Sequence, residues 1–561
     1  MTENLSYEEA IARVTAPGEQ FEIADLDIAG KKIRGFTNAP RSLREIFAAQ
    51  RVRGDAIFLV YENERWSFAE TLARIDSMAA ALVDDFSVKS GDRVAIAMRN
   101  YPEWVVAFAA ITSVGGIAVC MNAWWTAQEM AYGLRDSGTS LLIADAERLE
   151  RAEATLAALD IPAIVVRSEQ ALRAGAVHWS DALKAGAAMP DVDVAPDQDA
   201  TILFTSGTTG HPKGAVSTHR AITNSLTAFA ARATVGALLA PPAAPHPFPT
   251  SFILVVPLFH VTGLVPVMLS CFAGGFKLVV MYKWDPERAL ELIEREQITT
   301  FVGVPTMSFD LLESRDFASR DTQSLLSVGG GGAPAPPELV QRIEKGFSRG
   351  RPGIGYGMTE TNAFGPGNSG DNYLRKPRST GRVMPPMEII IADENGEEVP
   401  CGEVGEIYFG GPTLIRGYWN NPEATGETIV NGWLKSGDIG RIDDEGFIYV
   451  EDRAKDMVLR AGENIYPAEV EAAIYEHPAV HEAAVFGMPH QRLGEEVASA
   501  IVTKRGAALT PAELQTHLKG LIASFKVPTI IQVGSEALPR NASGKILKRT
   551  IRDQWVAARE S

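Results

Sequence analysis

Between Thr205 and Gly214 the chain reads TSGTTGHPKG: three glycines, four hydroxyl side chains and one lysine within ten residues. Glycines let backbone N–H groups approach an anion with no side chain in the way. Thr and Ser hydroxyls add donors, and Lys213 adds positive charge. That combination is the chemistry of a phosphate-cradling loop. It is not a Walker A loop, because the spacing G-x-x-x-x-G-K-[ST] does not fit. Taken alone, the same ten residues also suit a plain surface turn.

The elements around this loop must position it. An apolar strand, TILF (201–204), leads in, and a helical pattern begins near Thr218. Short β-branched runs such as DRVAIAM (92–98), SLLIADA (140–146) and TTFVGVP (299–305) alternate with amphipathic patterns such as 287–297. That alternation predicts an α/β fold with largely parallel sheets. Around 377–412 the pattern becomes hairpin-like, with an Asn-Gly turn at 395–396, which predicts a smaller antiparallel subdomain. After Tyr449 a charged segment precedes a compact tail with helix patterns at 467–476 and 511–524. The expected division is therefore 1–454, a large N-terminal domain of several subdomains, and 455–561, a small α+β domain. The Ala/Pro-rich stretch 238–251 reads as a loop.

Seven further motifs stand in order along the chain: PLFHVTG (257–263), GGGGAP (329–334), YGMTE (356–360), LKSGDIG (434–440), EDRAKD (451–456), AGENIYPAEVE (461–471) and LPRNASGKILKR (538–549). Together with the glycine-rich loop they resemble the acyl-adenylate-forming superfamily, on its acyl-CoA synthetase branch. That superfamily includes acyl-CoA synthetases, luciferases and peptide-synthetase adenylation domains. The concordance extends over some 350 residues, and no single motif is as specific as their order.

The resemblance implies roles residue by residue. Thr205, Ser206, Gly207, Thr208, Thr209 and Gly210 would hold the phosphates of ATP, with Lys213 touching them transiently. Tyr356 would stack on adenine, with Gly357 and Met358 beside it and the backbone of Gly332, Ala333 and Pro334 at the adenine edge. Thr359 would meet the α-phosphate, and Glu360 would help hold Mg²⁺, a hard cation for which one carboxylate plus phosphates suffices. Asp438 would accept the ribose hydroxyls with Arg453 alongside. Lys545 would bridge the substrate carboxylate and the α-phosphate, since a carboxylate attacks a polyanion poorly until charge is neutralised. Lys548 and Arg549, which flank it, read as solvated. Gly462 and Glu463 would lie in the loop lining a thiol tunnel, and Lys455 at the hinge. His260 would gate the passage between acyl pocket and thiol tunnel, although a histidine beside an apolar run is also an ordinary core residue.

The implied activity is that of an ATP-dependent acid:CoA ligase, with Mg²⁺ as cofactor and a carboxylic acid, ATP and CoA as partners. Val261, Leu264, Val304, Gly329, Gly331 and Gly357 are the candidate acyl pocket. In acetate-specific relatives a tryptophan occupies the position of Gly357, so a glycine there implies an acid longer than acetate. A medium- or long-chain fatty acid is expected. The alternatives are an aromatic acid, or transfer to a carrier protein or an amine in place of CoA. A degenerate adenylate-binding regulator is disfavoured, because Thr359, Glu360, Asp438 and Lys545 are all present.

Composition narrows the rest. A net charge of −17 and a pI near 5.1 argue against a general nucleic-acid binder. Three widely spaced cysteines, Cys120, Cys271 and Cys401, form neither a disulfide framework nor a CxxC pair, so a reducing, cytoplasmic setting is expected. Two long uncharged stretches, 104–128 and 252–276, contain Gly-Gly breaks before β-rich runs. They read as helix, glycine turn and buried strand, leaving membrane contact peripheral at most. A homodimer is compatible with the sequence.

Overall fold

The computed structural model describes residues 5–28, 30–205, 212–240, 246–333, 335–453, 455–461, 463–542 and 544–560. Ser206, Gly207, Thr208, Thr209, Gly210, Pro334 and Gly462, to which the resemblance gives roles, lie outside them.

Two eight-stranded sheets dominate. In the first, the strands Asp199–Thr205, Ile117–Cys120, Arg93–Ala97, Leu141–Asp145, Ala163–Val166 and Ala176–His178 run parallel, with Lys213–Thr218 and Gly417–Tyr418 added antiparallel at one edge. In the second, Arg351–Gly355, Ser327–Gly331, Thr300–Gly303, Ser251–Leu254, Lys277–Val280 and Ile57–Tyr61 run parallel, flanked by antiparallel Gly367–Ser369 and Glu64–Ser67. Both centres are runs of Val, Ile, Leu and Gly. Strands covered on both faces have no solvent side to mark with alternation.

Helices fill the space between the sheets. Phe68–Asp84 starts from a capping box, Ser67 Oγ accepting from Glu70 N–H at 3.1 Å and Glu70 returning the contact to Ser67 N–H at 2.8 Å. It packs on Pro102–Ser113, which is buried on every side. Trp104, fully buried, stacks on Phe108 at 5.4 Å between ring centroids. The first uncharged stretch is thus a core helix followed by Gly115, Gly116 and the strand Ile117–Cys120. The second runs through the π-helical turn Leu264–Leu269 and the helix Ser270–Gly274 into Lys277–Val280. Among the described residues no helix is long and apolar enough to cross a membrane.

The antiparallel expectation is met by Glu388–Ala392, Gly405–Gly410 and Trp433–Ile442, with the Asn395-Gly396 turn closing where Ala392 bridges Glu398. Ile448–Arg453 extends this sheet, whereas Val458–Arg460 belongs to the last one, with Glu463–Ile465, Val480–His490, Gly494–Thr503 and Ile530–Gly534. Sheet membership therefore changes between Arg453 and Val458. The helix expected at 511–524 is shorter, Pro511–Leu518, and the stretch read as a loop from 238 begins as the end of the helix His219–Leu239.

Candidate active site

Three parallel strands of the second sheet end side by side, in register at Gly303, Gly330 and Gly331 with Gly355. Their carboxyl ends present Val304, Gly332 and Tyr356 as neighbours, the edge where open α/β sheets bind ligands. From Tyr356 the chain enters a single 3₁₀ turn, Thr359–Thr361. That turn leaves Thr359 partly exposed and buries Glu360.

Asp438 and Arg453 are direct cross-strand partners on the antiparallel sheet. The Arg453 Nε lies 3.2 Å from one Asp438 oxygen, and the Tyr356 hydroxyl donates to the other at 2.6 Å. Burial, reinforced by Asp438, pushes the Tyr356 phenol well above its usual pKa and keeps it a donor. Its ring lies 5.5 Å from Phe409. The aromatic expected at adenine and the carboxylate expected at ribose thus form one hydrogen-bonded unit.

Glu360 is 6% exposed and accepts from the Tyr418 hydroxyl at 2.7 Å. Burial raises its pKa, while Tyr418, Arg453 and Lys213 oppose the rise. Lys213 lies over the Tyr418 ring at 5.1 Å, and Thr205 pairs with it across the hairpin. A buried carboxylate whose side-chain hydrogen-bond donor is the neutral Tyr418 hydroxyl keeps hard-oxygen capacity that a small cation would satisfy, so it fits Mg²⁺ shared with phosphates. Elsewhere among the described residues, Asp443, Asp444 and Glu445 cluster, and there Lys376 reaches Glu445 at 2.6 Å and Arg375 reaches it at 2.7 Å.

Lys545 sits in a tight loop closed by the bridge between Arg540 and Ile546, with Asn541 Oδ1 accepting from its N–H at 2.9 Å. Its pKa is lowered by burial and by Arg453, with Asp456 and Asp438 opposing. The loop is pressed onto the large sheet. A Cβ on Gly544, whose φ is +86°, would stand 3.0 Å from a Val304 methyl. Only a glycine permits both the left-handed backbone and this approach.

The order of these residues along the chain is that of a family. Residues 46–419 match the AMP-binding enzyme model and residues 469–545 its C-terminal domain. The chain belongs to the AMP-binding enzyme family. It is 33% identical over 492 residues to the long-chain-fatty-acid–CoA ligase FadD13 of Mycobacterium tuberculosis, covering 87% of this chain and 93% of that one. It is 34% identical to a feruloyl-CoA synthase of an Amycolatopsis species, covering 87% and 94%. Among solved structures, the o-succinylbenzoate CoA synthetase MenE from Bacillus subtilis, in complex with its acyl-adenylate intermediate OSB-AMP, aligns at a TM-score of 0.76 and 30% identity. That alignment covers 92% of this chain and 98% of that one.

Against the expectations for this AMP-binding enzyme, the structure gathers Tyr356, Asp438, Arg453 and Lys545 at one place, and joins Glu360 to Lys213 through Tyr418. Gly332 and Ala333 follow the neighbouring strand end. Lys455 and Glu463 are exposed, in the turn and hairpin beyond Arg453. His260 is half-buried and accepts from Thr262 N–H, and burial lowers its pKa to about 4, so it is neutral at pH 7. Val261, Leu264 and Val304 are buried in the main core.

Two expectations are corrected. A side chain at Gly357 would point at backbone: a Cβ there would meet the Ala363 carbonyl oxygen at 2.6 Å and that of Phe364 at 3.1 Å. The missing side chain makes room for backbone, so Gly357→Trp would displace the nucleotide segment instead of shortening the pocket. Gly331 is similar, 3.0 Å from Gly355 O, whereas Gly329 has only ordinary contacts. Lys548 is not solvated. Its ammonium pairs with Glu471 at 2.7 Å and its side chain is 22% exposed, whereas Arg549 is open to solvent at 77%. Tyr418, which holds Glu360 from 58 positions away, carries no sequence signal of its own.

The small C-terminal sheet also meets the helix Pro305–Glu313. His481 Nδ1 lies 2.9 Å from a Glu313 oxygen, and Tyr475 stacks on Phe309 at 6.1 Å. Glu313 raises the His481 pKa, helped by Glu482 and Asp310, while Arg342 pairs with Glu313 and Arg540 with Glu482. A raised imidazole pKa gives a contact fully present below the free value of about 6.5 and lost as pH rises through the folded one. Between about pH 6 and 8.5, adenylate formation is expected to lose about two- to fivefold relative to the second half-reaction, the scale of a partly exposed ion pair. His481→Gln should flatten that ratio in single-turnover assays. A ratio just as steep in the variant would assign the pH dependence to another group.

Proposed function

We propose that this chain is an ATP-dependent acid:CoA ligase acting on a medium- or long-chain fatty acid. In the first step a carboxylate oxygen attacks the α-phosphorus of ATP, the bond to the β-phosphate oxygen breaks, and pyrophosphate leaves. In the second the CoA sulfur attacks the acyl carbonyl, AMP departs with the C–O electron pair, and the thiol proton is released. The observation that carries this reading is the placement of Lys545, brought from the last loop of the chain to Asp438, Arg453 and Tyr356.

Asp438 and Tyr356 would orient ribose and base, and Thr359 would donate to the α-phosphate. Lys545 would neutralise charge as the carboxylate approaches. Val304 and Leu264 are buried and, as walls of the acyl pocket, would exclude water from an intermediate that water would hydrolyse. Glu360 and the phosphates would hold Mg²⁺, which when bound draws charge off the triphosphate. Residues 1–454 and 455–561 are proposed as the two units, supported by the change of sheet between Arg453 and Val458. Three unpaired cysteines support a reducing, cytoplasmic setting.

The resemblance to a feruloyl-CoA synthase supports a second reading, an aryl acid as substrate. Pyrophosphate release across acetate, octanoate, palmitate and cinnamate-type acids, with and without CoA, tests both. A thioester formed best from the fatty acids is the expected result. Turnover to another product without CoA would overturn the ligase reading, and preference for the aryl acids would replace its substrate.

A further inference from the structure

The turn that presents Thr359 and Glu360 is strained. Immediately after it, Asn362 and Ala363 are two consecutive non-glycine residues with φ of +53° and +61°. Such residues persist only where the surroundings over-determine them. One helix, His219–Leu239, supplies two of the restraints. Ser225 Oγ, fully buried, donates to the Asn362 carbonyl at 3.0 Å. Two turns further on, Arg232 donates to the Gly365 carbonyl, and its guanidinium lies over the Phe364 ring at 4.5 Å. A Cβ on Gly367 would stand 2.7 Å from the Arg232 Nη1, so the guanidinium lies directly on bare backbone. This stretch is tied to the adenine side: Tyr356 N–H donates to Pro366 O at 3.0 Å.

The N-terminal segment closes over the far side. The helix Tyr7–Val14 packs along His219–Leu239, with Ala10 and Val14 in one apolar cluster with Ala228, Ala231, Val235 and Phe364. Tyr7 lies within electrostatic reach of Arg232, and its hydroxyl donates to Val383 O at 3.4 Å. Arg382 covers the Tyr7 ring at 4.6 Å and pairs with Glu8 at 3.1 Å. This helix precedes residue 46, where the family match begins. The Arg232 Nε is buried without a hydrogen-bond partner, and burial lowers the guanidinium pKa to about 10. A charge kept under those conditions has a cost that its contacts must offset.

We propose that Arg232 and Ser225 are positioning residues for nucleotide binding, holding the left-handed turn Asn362-Ala363 so that Tyr356, Thr359 and Glu360 face ATP, with the N-terminal helix as the cover that keeps Arg232 dry. The inference rests on the reading of Tyr356–Glu360 as the nucleotide segment. It gives the N-terminal residues a role in the reaction and links the helix that follows the glycine-rich hairpin to the adenine side of the site.

The test measures AMP and ATP affinity by calorimetry, Michaelis constants for ATP and CoA, and thermal midpoints. The chains compared are wild type, Arg232→Met, Arg232→Lys and Ser225→Ala. Arg232→Met should weaken nucleotide binding about tenfold to hundredfold, the scale of a lost charged hydrogen bond, and Ser225→Ala about two- to tenfold. The KM for CoA should stay within about twofold, because the same loss of a restraint does not reach the second nucleophile. Arg232→Lys should recover part of the affinity, since an ammonium can reach one carbonyl but cannot lie flat on Gly367. Nucleotide affinity of Arg232→Met unchanged, whether or not its thermal midpoint falls, overturns the inference. So does an equal rise in the KM for CoA, or a lysine variant no better than methionine. If Arg232→Met does not fold, Ser225→Ala decides by the same criteria. A wild-type chain that binds neither ATP nor AMP overturns the ligase reading and this inference with it. Wild-type binding with unaltered variants overturns the inference alone.

Discussion

Replacing Lys545 with alanine is expected to slow acyl-adenylate formation by about 10²–10³-fold, the range for removing one preorganised charge-stabilising donor. Burial and the neighbouring Arg453 depress the Lys545 pKa, so the site holds a cation it only partly compensates. An arriving triphosphate and carboxylate supply the missing negative charge. They are bound by a group whose solvation has already been lost, which is why the effect should appear in the chemical step more than in binding. The ammonium also arrives on a loop whose placement is set by contact. Gly544 lies against Val304, and Arg540 donates to Gly544 O at 2.7 Å while its other end pairs with Glu482. Started from supplied acyl-AMP, thioester formation should change by less than about threefold, because no new charge then develops on the α-phosphate. Single-turnover measurement of each half-reaction checks this. Equal losses in both would show that Lys545 does not act by neutralising charge in the first step.

The parts of this site that were legible from sequence are those whose chemistry is local. A Tyr-Gly-Met-Thr-Glu run and a glycine-lysine pair near the end of the chain stand out by their adjacent residues. Parallel strands were legible as well, because burial on both faces leaves unbroken apolar runs such as 117–120 and 141–144. What was not legible depends on direction or on distance along the chain. Gly357 reads as an opening, since a sequence does not say where an absent side chain would point, and here it points at the backbone of Ala363. Lys548 reads as a solvated neighbour of Lys545, but the helix Lys548–Glu560 begins there and turns it toward Glu471, far back along the chain. Tyr418 and Arg232 have no motif around them. Each is recognisable only by what it touches, Glu360 in one case and the Gly365 carbonyl in the other.

Proline at position 455 should separate the two half-reactions in the opposite sense to alanine at 545. Several contacts that hold the present arrangement cross the segment between Arg453 and Val458. The Asp452 carboxylate accepts from Ala468 N–H at 2.8 Å, His481 meets Glu313, and Gly544 lies against Val304. All three belong to the arrangement that brings Lys545 beside Arg453 and Asp438. If a second nucleophile, the CoA thiol, is to reach the same carbonyl, these contacts must be exchanged for others, and a hinge absorbs the change in φ and ψ. Lys455 is exposed in the turn where Asp456 and Met457 N–H both donate to Arg453 O, at 3.0 and 3.1 Å. Proline fixes φ near about −65° and removes one N–H, which restricts the change of backbone angles that a hinge at this position requires. Adenylate formation by Lys455→Pro should therefore remain within about threefold of wild type. Thioester formation should fall by about 10²-fold, the scale of a misplaced reacting group. Pyrophosphate release in a single turnover, followed by the rate of acyl-CoA appearance, measures the two separately. An overall ligation rate equal to wild type would place the hinge at another residue. A loss confined to adenylation would mean that the proline had broken the Lys545-delivering arrangement itself.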